Sequence, residues 1–212
     1  RLSQETVAAF DEREISGHVR LGTPDDYADR FLPEILARFA RSNPLAEVTV
    51  VCAPTPMLVD LLRQNELDIA IVTHVRTQGR DDEVVRREPL LWVASSRHAV
   101  HDLDPLPLAL GRPTCDWRRA AQDALEACGR PYRINYSSWN STAVAAAVVA
   151  GLAVSVLPES ALRPGMRVLG EAEGFPRLPF CEIAVMRSWR QSSPVIDAVA
   201  EHIVSSLDNL SV

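Results

Sequence analysis

The sequence predicts an α/β protein built from two small units in succession, on three observations. From His18 onward, extended apolar segments alternate with segments of helical period. The composition breaks between His98 and Pro107, where proline and aspartate dominate, which marks a boundary. Polar or small residues also recur at the carboxyl end of one extended segment after another, the edge of an open parallel sheet where ligands bind.

The first strand is expected at His18 to Gly22, followed by a turn at Thr23-Pro24-Asp25. A helix is expected from about Ala28 to Ser42, because Phe31, Leu32, Ile35, Leu36 and Phe39 form one apolar stripe. Pro33 fits its first turn, where a missing N–H costs little. Asn43-Pro44 stops that helix, and Glu47 to Cys52 reads as the next strand. Thr55 is expected as an N-cap and Pro56 as the first helical residue of a helix carrying Met57, Leu58, Leu61 and Leu62. Leu67 to Thr73 is the third strand, Thr77 to Glu83 a polar loop, and Glu88 to Ser95 another strand. The second series repeats the scheme, with a strand at Leu106 to Leu110, a helix from about Trp117 to Cys128 and a strand at Arg133 to Ser137. Asn140 or Ser141 then caps a helix that ends at Gly151, and Ala153 to Leu157 is a strand stopped by Pro158. Cys181 to Arg187 is the last strand, and Ser193-Pro194 opens a final helix with Ile196, Val199, Ile203 and Leu207 on one face.

The 212 residues are 47% hydrophobic and 24% charged, enough apolar material for one large core or two small ones. All 22 basic residues are arginine, and no lysine occurs. This excludes Schiff-base chemistry, a phosphate loop ending in Gly-Lys-Ser/Thr and a kinase-type nucleotide lysine. A net charge of −6 argues against this chain gripping a polyphosphate backbone. The chain starts at Arg1 with a polar stretch lacking the apolar core of a secretory signal, and reads as an excised fragment of a soluble protein. Cys52, Cys115, Cys128 and Cys181 show no metal-binding spacing and are expected as buried free thiols in a reducing cytoplasm.

No GxG, GxSxG or HExxH motif is present. His98 and His101, near Asp102 and Asp104, read as a solvated crossover loop rather than a metal site. Asp25, Asp26 and Asp116 sit just ahead of helices, where capping and the helix dipole explain them without catalysis. His74 follows a strand end, a position from which it either lines a pocket or merely ends the strand. The recurring strand ends are Thr23-Pro24, Pro54-Thr55, Thr73-His74, Arg112 to Cys115, Ser137-Ser138 and Pro158-Glu159. Two units placed face to face would bring them into one cleft, with helix N–H donors from both sides. Ordinary caps and turns would use the same residue types.

Gly17-His-Val-Arg-Leu-Gly22, Phe31-Leu-Pro-Glu-Ile-Leu with Phe39 and Asn43-Pro44, and Leu61-Leu62 leading to Glu66-Leu-Asp-Ile-Ala-Ile71 resemble the effector-binding domain of LysR-type transcriptional regulators. Val148-Val-Ala-Gly-Leu-Ala-Val-Ser-Val-Leu-Pro158 resembles a second signature segment of that family. The Thr-Pro-Asp-Asp-Tyr-Ala and Ala-Ile-Val-Thr-His segments are most similar to its branch of motility and exoenzyme repressors. The resemblance implies two Rossmann-like subdomains with a ligand cleft between them, of the periplasmic-binding-protein type II-like fold. Residues 1–14 would be the tail of a linker helix, 15–94 with 186–212 the first subdomain and 95–185 the second. The crossover strands would lie near Val93 to Arg97 and near Val185 to Trp189.

The resemblance also implies a small-molecule effector, no cofactor, metal or catalytic group, and promoter DNA bound through a helix-turn-helix N-terminal to this chain. A cytoplasmic homodimer or homotetramer would follow, in which the Ala28–Ser42 helix pairs with the Ser141–Ala150 helix of a neighbour. Carried over position by position, the effector contacts are Thr23, Pro24, Thr55, Pro56, Thr73, Cys115, Ser138, Asn140 and Pro158. Asp25 and Asp26 speak against a plain anion, whereas Arg112 would favour one. Cys115 falls near the reactive cysteine of the family's peroxide sensors. Its nearest mate, Cys128, lies at the far end of a helix, roughly 20 Å away against a Cα limit of about 7 Å for a disulfide. A periplasmic-type solute-binding protein shares the two-lobed plan, but four unpaired cysteines and the missing signal count against it. An enzyme acting on a small acid would need an activated nucleophile, and no His, Ser or Cys has a visible activating partner.

Overall fold

The computed structural model describes residues 15–74, 83–189 and 192–208. The linker-helix tail expected at 1–14 and nearly all of the polar loop expected from Thr77 lie outside the described residues. The first half opens with β1 (Ser16–Thr23), α1 (Asp25–Ser42), β2 (Leu45–Cys52), α2 (Thr55–Arg63) and β3 (Ile69–His74). The chain crosses along β4 (Glu83–Ser95) into β5 (Leu106–Leu110), α3 (Asp116–Ala127), β6 (Tyr132–Ser137), α4 (Ser141–Val149) and β7 (Ser155–Pro158). After β8 (Met166–Leu169) it returns along β9 (Phe180–Arg187), and α5 (Pro194–Leu207) packs on the first half.

The two halves share a plan. β1 pairs in parallel with β2 and β3, and β3 runs antiparallel to β9. In the second half β5 pairs in parallel with β6 and, through the Leu108–Val154 bridge, with the chain entering β7, which runs antiparallel to β4. β4 and β9 pair with each other, so one curled sheet passes through both halves. The parallel pairing expected throughout thus holds only among the strands that alternate with helices. β8, absent from the sequence expectation, adds antiparallel to β4.

Two main cores meet along the crossing strands. Val85, Ile183 and Val185 pack with Val19, Phe31 and Ile35, whereas Leu90, Trp92 and Cys181 pack with Leu108, Leu125 and Phe175. The passage therefore falls between Val85 and Leu90 on β4 and between Cys181 and Ile183 on β9, earlier along both strands than expected. The reason is register: β4 and β9 pair over Glu83–Pro89 and Phe180–Val185, at the junction itself.

Three local expectations change. α1 begins at Asp25, so Pro33 lies well inside the helix. Pro33 is on the exposed face, where water can satisfy the Asp29 carbonyl that has no N–H partner, while Tyr27, Phe31, Ile35 and Phe39 are buried. The N-cap of α2 is Pro54, not Thr55, and Met57 faces out with 53% exposure while Leu58 and Leu62 are buried. Cys181 is buried, but Cys52 and Cys128 are exposed and Cys115 lies between these extremes. By contrast, Asn140 caps α4 by accepting from Ala143 N–H, and Ser193 caps α5 by accepting from Ile196 N–H. Gly151 ends the α4 region at φ +72, and a Cβ there would collide with the His98 ring at 2.4 Å.

Candidate functional site

The carboxyl ends of β1, β3, β5 and β6 point into the space between the halves, and each is followed by chain that feeds or faces a helix. The N-termini of α1, α2, α3 and α4 converge there around a cavity of ≈ 390 Å³. Pro24 and Pro54 cap α1 and α2 in extended conformation without any side-chain bond, as Cys115 does α3. The first-turn N–H groups of α2 are thus left without a side-chain acceptor, whereas those of α1 and α3 interact with the Asp26 carboxylate and the Cys115 thiol.

Six of the expected contact residues line this cavity: Pro24, Thr55, Pro56, Thr73, Cys115 and Ser138. Freed from capping, the Thr55 hydroxyl accepts from Thr73 N–H at 3.0 Å and lies 3.2 Å from the Thr73 hydroxyl, which ties α2 to β3. Ser138 Oγ accepts from Asn140 N–H at 3.0 Å and shapes the loop before α4. Thr23, Asn140 and Pro158 are not brought to the cavity. Thr23 is fully buried and its hydroxyl donates to the Pro24 carbonyl. Asn140 is spent on its cap. Pro158 pairs with Leu90 at the crossing, because β7 runs across the cavity floor and shows it Ser155, Val156 and Leu157 rather than its end.

His74 and Arg112 also line the cavity. The Arg112 guanidinium lies 4.0 Å from the centroid of the Trp139 ring, a cation–π pair on the rim where Trp139 is 63% exposed. Arg118 donates to the Gly111 carbonyl at 3.1 Å and to Gln122 at 3.1 Å. Gly111 is required here, since a Cβ would come within 2.7 Å of Cys115 Sγ. Burial raises the Cys115 thiol above its ordinary range, and Cys115 and Cys128 occupy opposite ends of α3.

The sequence assigns Asp25 and Asp26 to capping and the helix dipole; both stand in the first turn of α1, where the dipole favours them, but the N-cap is Pro24. Asp25 Oδ2 accepts from Ser141 N–H at 2.6 Å, joining α1 of one half to α4 of the other across the cavity. Asp26 is 6% exposed, lines the cavity, and is pushed up to about 7 by burial and then by the charge of Asp25. Three buried side-chain oxygens of the cavity wall have no hydrogen-bond partner: Asp26 Oδ2, Ser141 Oγ and Ser155 Oγ. No local motif marks this set, because Asp26 and Ser141 stand in helix first turns and Ser155 in a strand. Away from the cavity, His98 packs over Gly151 and the His101 ring meets Arg167 at 2.9 Å. Among the described residues, no group of three or more His, Cys, Asp or Glu is placed to hold a metal ion, and no helix is long and apolar enough to cross a membrane.

A cavity open to solvent on one side and lined by apolar side chains together with polar atoms and helix N-termini suits a small molecule with polar groups. The family model for the LysR substrate binding domain matches residues 12–208. The chain is 34% identical over 210 residues to the HTH-type transcriptional regulator DgdR of Burkholderia cepacia, covering 99% of this chain and 71% of that protein. It is 30% identical to the HTH-type transcriptional regulator PecT of Dickeya dadantii (strain 3937), covering 97% of this chain and 65% of that protein. The chain thus spans about two thirds of the length of these regulators. In fold it is similar to the effector binding domain of QuiR in complex with shikimate, at a TM-score of 0.70 and 15% identity over 91% of this chain and 98% of that one. With two α/β halves, a shared cleft and this match along nearly its whole length, the chain belongs to the LysR substrate-binding domain family.

Proposed function

We propose that this chain is the effector-sensing part of a transcriptional regulator, and that a small molecule bound between its halves sets the activity of the whole protein. The observation that carries this reading is the cavity itself, which the Thr55–Thr73 hydroxyl pair and the α1 and α2 N-termini line from the first half and Cys115, Ser138 and Ser141 from the second. The two subdomains would meet where the cores change over, between Val85 and Leu90 on β4 and between Cys181 and Ile183 on β9, and would turn about these strands. A ligand that touches both halves favours one arrangement only by its difference in affinity between arrangements. Promoter DNA would be held by a helix-turn-helix N-terminal to this chain, in agreement with the net charge of −6 here. In a homodimer or homotetramer, α1 would pair with α4 of a neighbour, which presents an exposed stripe of Ala143, Ala146 and Val149.

The test is thermal unfolding with a panel of small metabolites. A ligand that stabilises the wild-type chain should lose most of its effect in Thr55→Ala, which still folds although its own unfolding temperature in buffer falls because Thr73 N–H loses its acceptor. Equal ligand-induced shifts in the wild type and in Thr55→Ala, Thr73→Ala and Ser138→Ala would place the site elsewhere.

A further inference from the structure

The cavity wall is unevenly charged in a way that specifies its ligand. Asp26 is buried and has one carboxylate oxygen without a partner, and the arginines that share its cavity make their contacts with other groups. Arg63 pairs with Asp60 at 3.5 Å, Arg118 is held by the Gly111 carbonyl and Gln122, and Arg112 lies over Trp139. With no lysine in the chain, no side-chain ammonium is available to it. A buried carboxylate left in this state is costly, and a cationic donor brought by a ligand relieves both the unmade hydrogen bond and the uncompensated charge. Ser141 Oγ and Ser155 Oγ add two more unpartnered polar atoms to the same wall. The same cavity is also lined by the N-terminus of α2, which has no side-chain cap, and by Thr55 and Ser138, whose hydroxyls with those N–H groups favour an anionic group. Val59, Leu110, Trp117, Val144 and Leu157 supply the apolar part of the lining.

We propose that the effector of this cleft is an α-amino acid whose ammonium group docks on Asp26 while its carboxylate faces the Thr55 and Ser138 side. The proposal rests on the cleft reading given above and narrows its ligand class. An ammonium at Asp26 also holds the carboxylate in its charged form, which burial and Asp25 otherwise disfavour near neutral pH. A carboxylic acid without an amine would leave Asp26 as it is and gain only half of the site.

The experiment is thermal shift followed by titration calorimetry on this chain at pH 7.5, using the twenty protein amino acids as probes. For each responder, the matched 2-hydroxy acid and the matched deaminated acid are measured alongside. The expected result is stabilisation by at least one amino acid, with affinity falling about tenfold to a hundredfold when the ammonium is replaced, the range of a charge-assisted hydrogen bond. Asp26→Asn should remove the advantage of the amino acid over its hydroxy analogue and leave the weak binding of that analogue within about twofold. The wild-type comparison decides the matter even where a variant folds poorly. Equal binding of the amine-free acid, or an amino-acid advantage that survives Asp26→Asn, overturns the assignment of Asp26. Amine-free acids that bind in a Thr55-dependent way while no amino acid binds overturn the amino-acid proposal and leave the cleft reading standing. No stabilisation by either set overturns the amino-acid proposal, and only failure of the wider metabolite panel removes the cleft reading as well.

Discussion

Asp25 and Asp26 are neighbours in the chain with opposite tasks, decided by what each carboxylate meets. Asp25 finds the Ser141 N–H of the other half, so it holds the cleft together. Asp26 is buried beside that like charge, and these outweigh the backbone N–H groups of Asp26 and Tyr27 that favour its charged form, so its proton affinity rises to about 7. The groups near enough to act on it electrostatically are Asp25 on α1, Glu88 on β4, Tyr27, and the Cys115 and Cys181 thiols. Between roughly pH 4 and pH 7 the folded chain keeps a proton on Asp26 that the unfolded chain releases, so stability falls as pH rises through this window. Asp26→Asn cannot ionise and should gain on the wild type by a few kcal/mol, on the order of 4 at most, between pH 4 and pH 8. Urea unfolding across that range checks this, and parallel pH profiles for the two proteins would contradict it.

At the level of elements, the coupling between halves runs through Glu88 on β4, which is 1% exposed. Tyr27 of α1 donates to Glu88 Oε1 at 2.9 Å, Ser160 Oγ donates to the same oxygen at 2.8 Å, and Ser160 N–H donates to Oε2 at 2.9 Å. Ser160 lies in the helical turn after β7, so one buried carboxylate ties α1, the crossing strand and the second half. Glu88→Ala leaves Tyr27 and Ser160 without their acceptor and should lower stability by about 3 kcal/mol in urea unfolding. A loss below about 1 kcal/mol would mean that the network is dispensable. Glu88 drew no notice in the sequence, where it only opened a strand, because its role depends on residues 61 and 72 positions away. What was legible was periodic: Leu106–Leu110 is a strand with the expected bounds, and the Ile196, Val199, Ile203 and Leu207 face of α5 is buried. Thr55 and Pro33 were misplaced by the same cause, since helix starts at Pro24 and Pro54 extend further N-terminally than the apolar stripe reveals. β8 escaped notice because four residues with mixed burial carry no period.

For the whole molecule, the order of strand-end residues in the sequence anticipated a cleft, and the fold gathers Pro24, Thr55, Pro56, Thr73, Cys115 and Ser138 around one cavity. Thr23, Asn140 and Pro158 belong instead to the packing, cap and crossing that frame it. The absence of lysine, first a list of excluded enzymes, becomes a property of the site, whose arginines contact Asp60, the Gly111 carbonyl and the Trp139 ring. The central claim is that a small molecule binds between the halves. Backbone amide NMR of this chain, titrated with any ligand that raises its unfolding temperature, tests that most directly. The largest shifts should fall on Asp25 to Tyr27, Thr55, Thr73 and Ser138 to Ser141, from both halves at once. Shifts concentrated on α5, β8 or another outer face, with these amides unmoved, would contradict it.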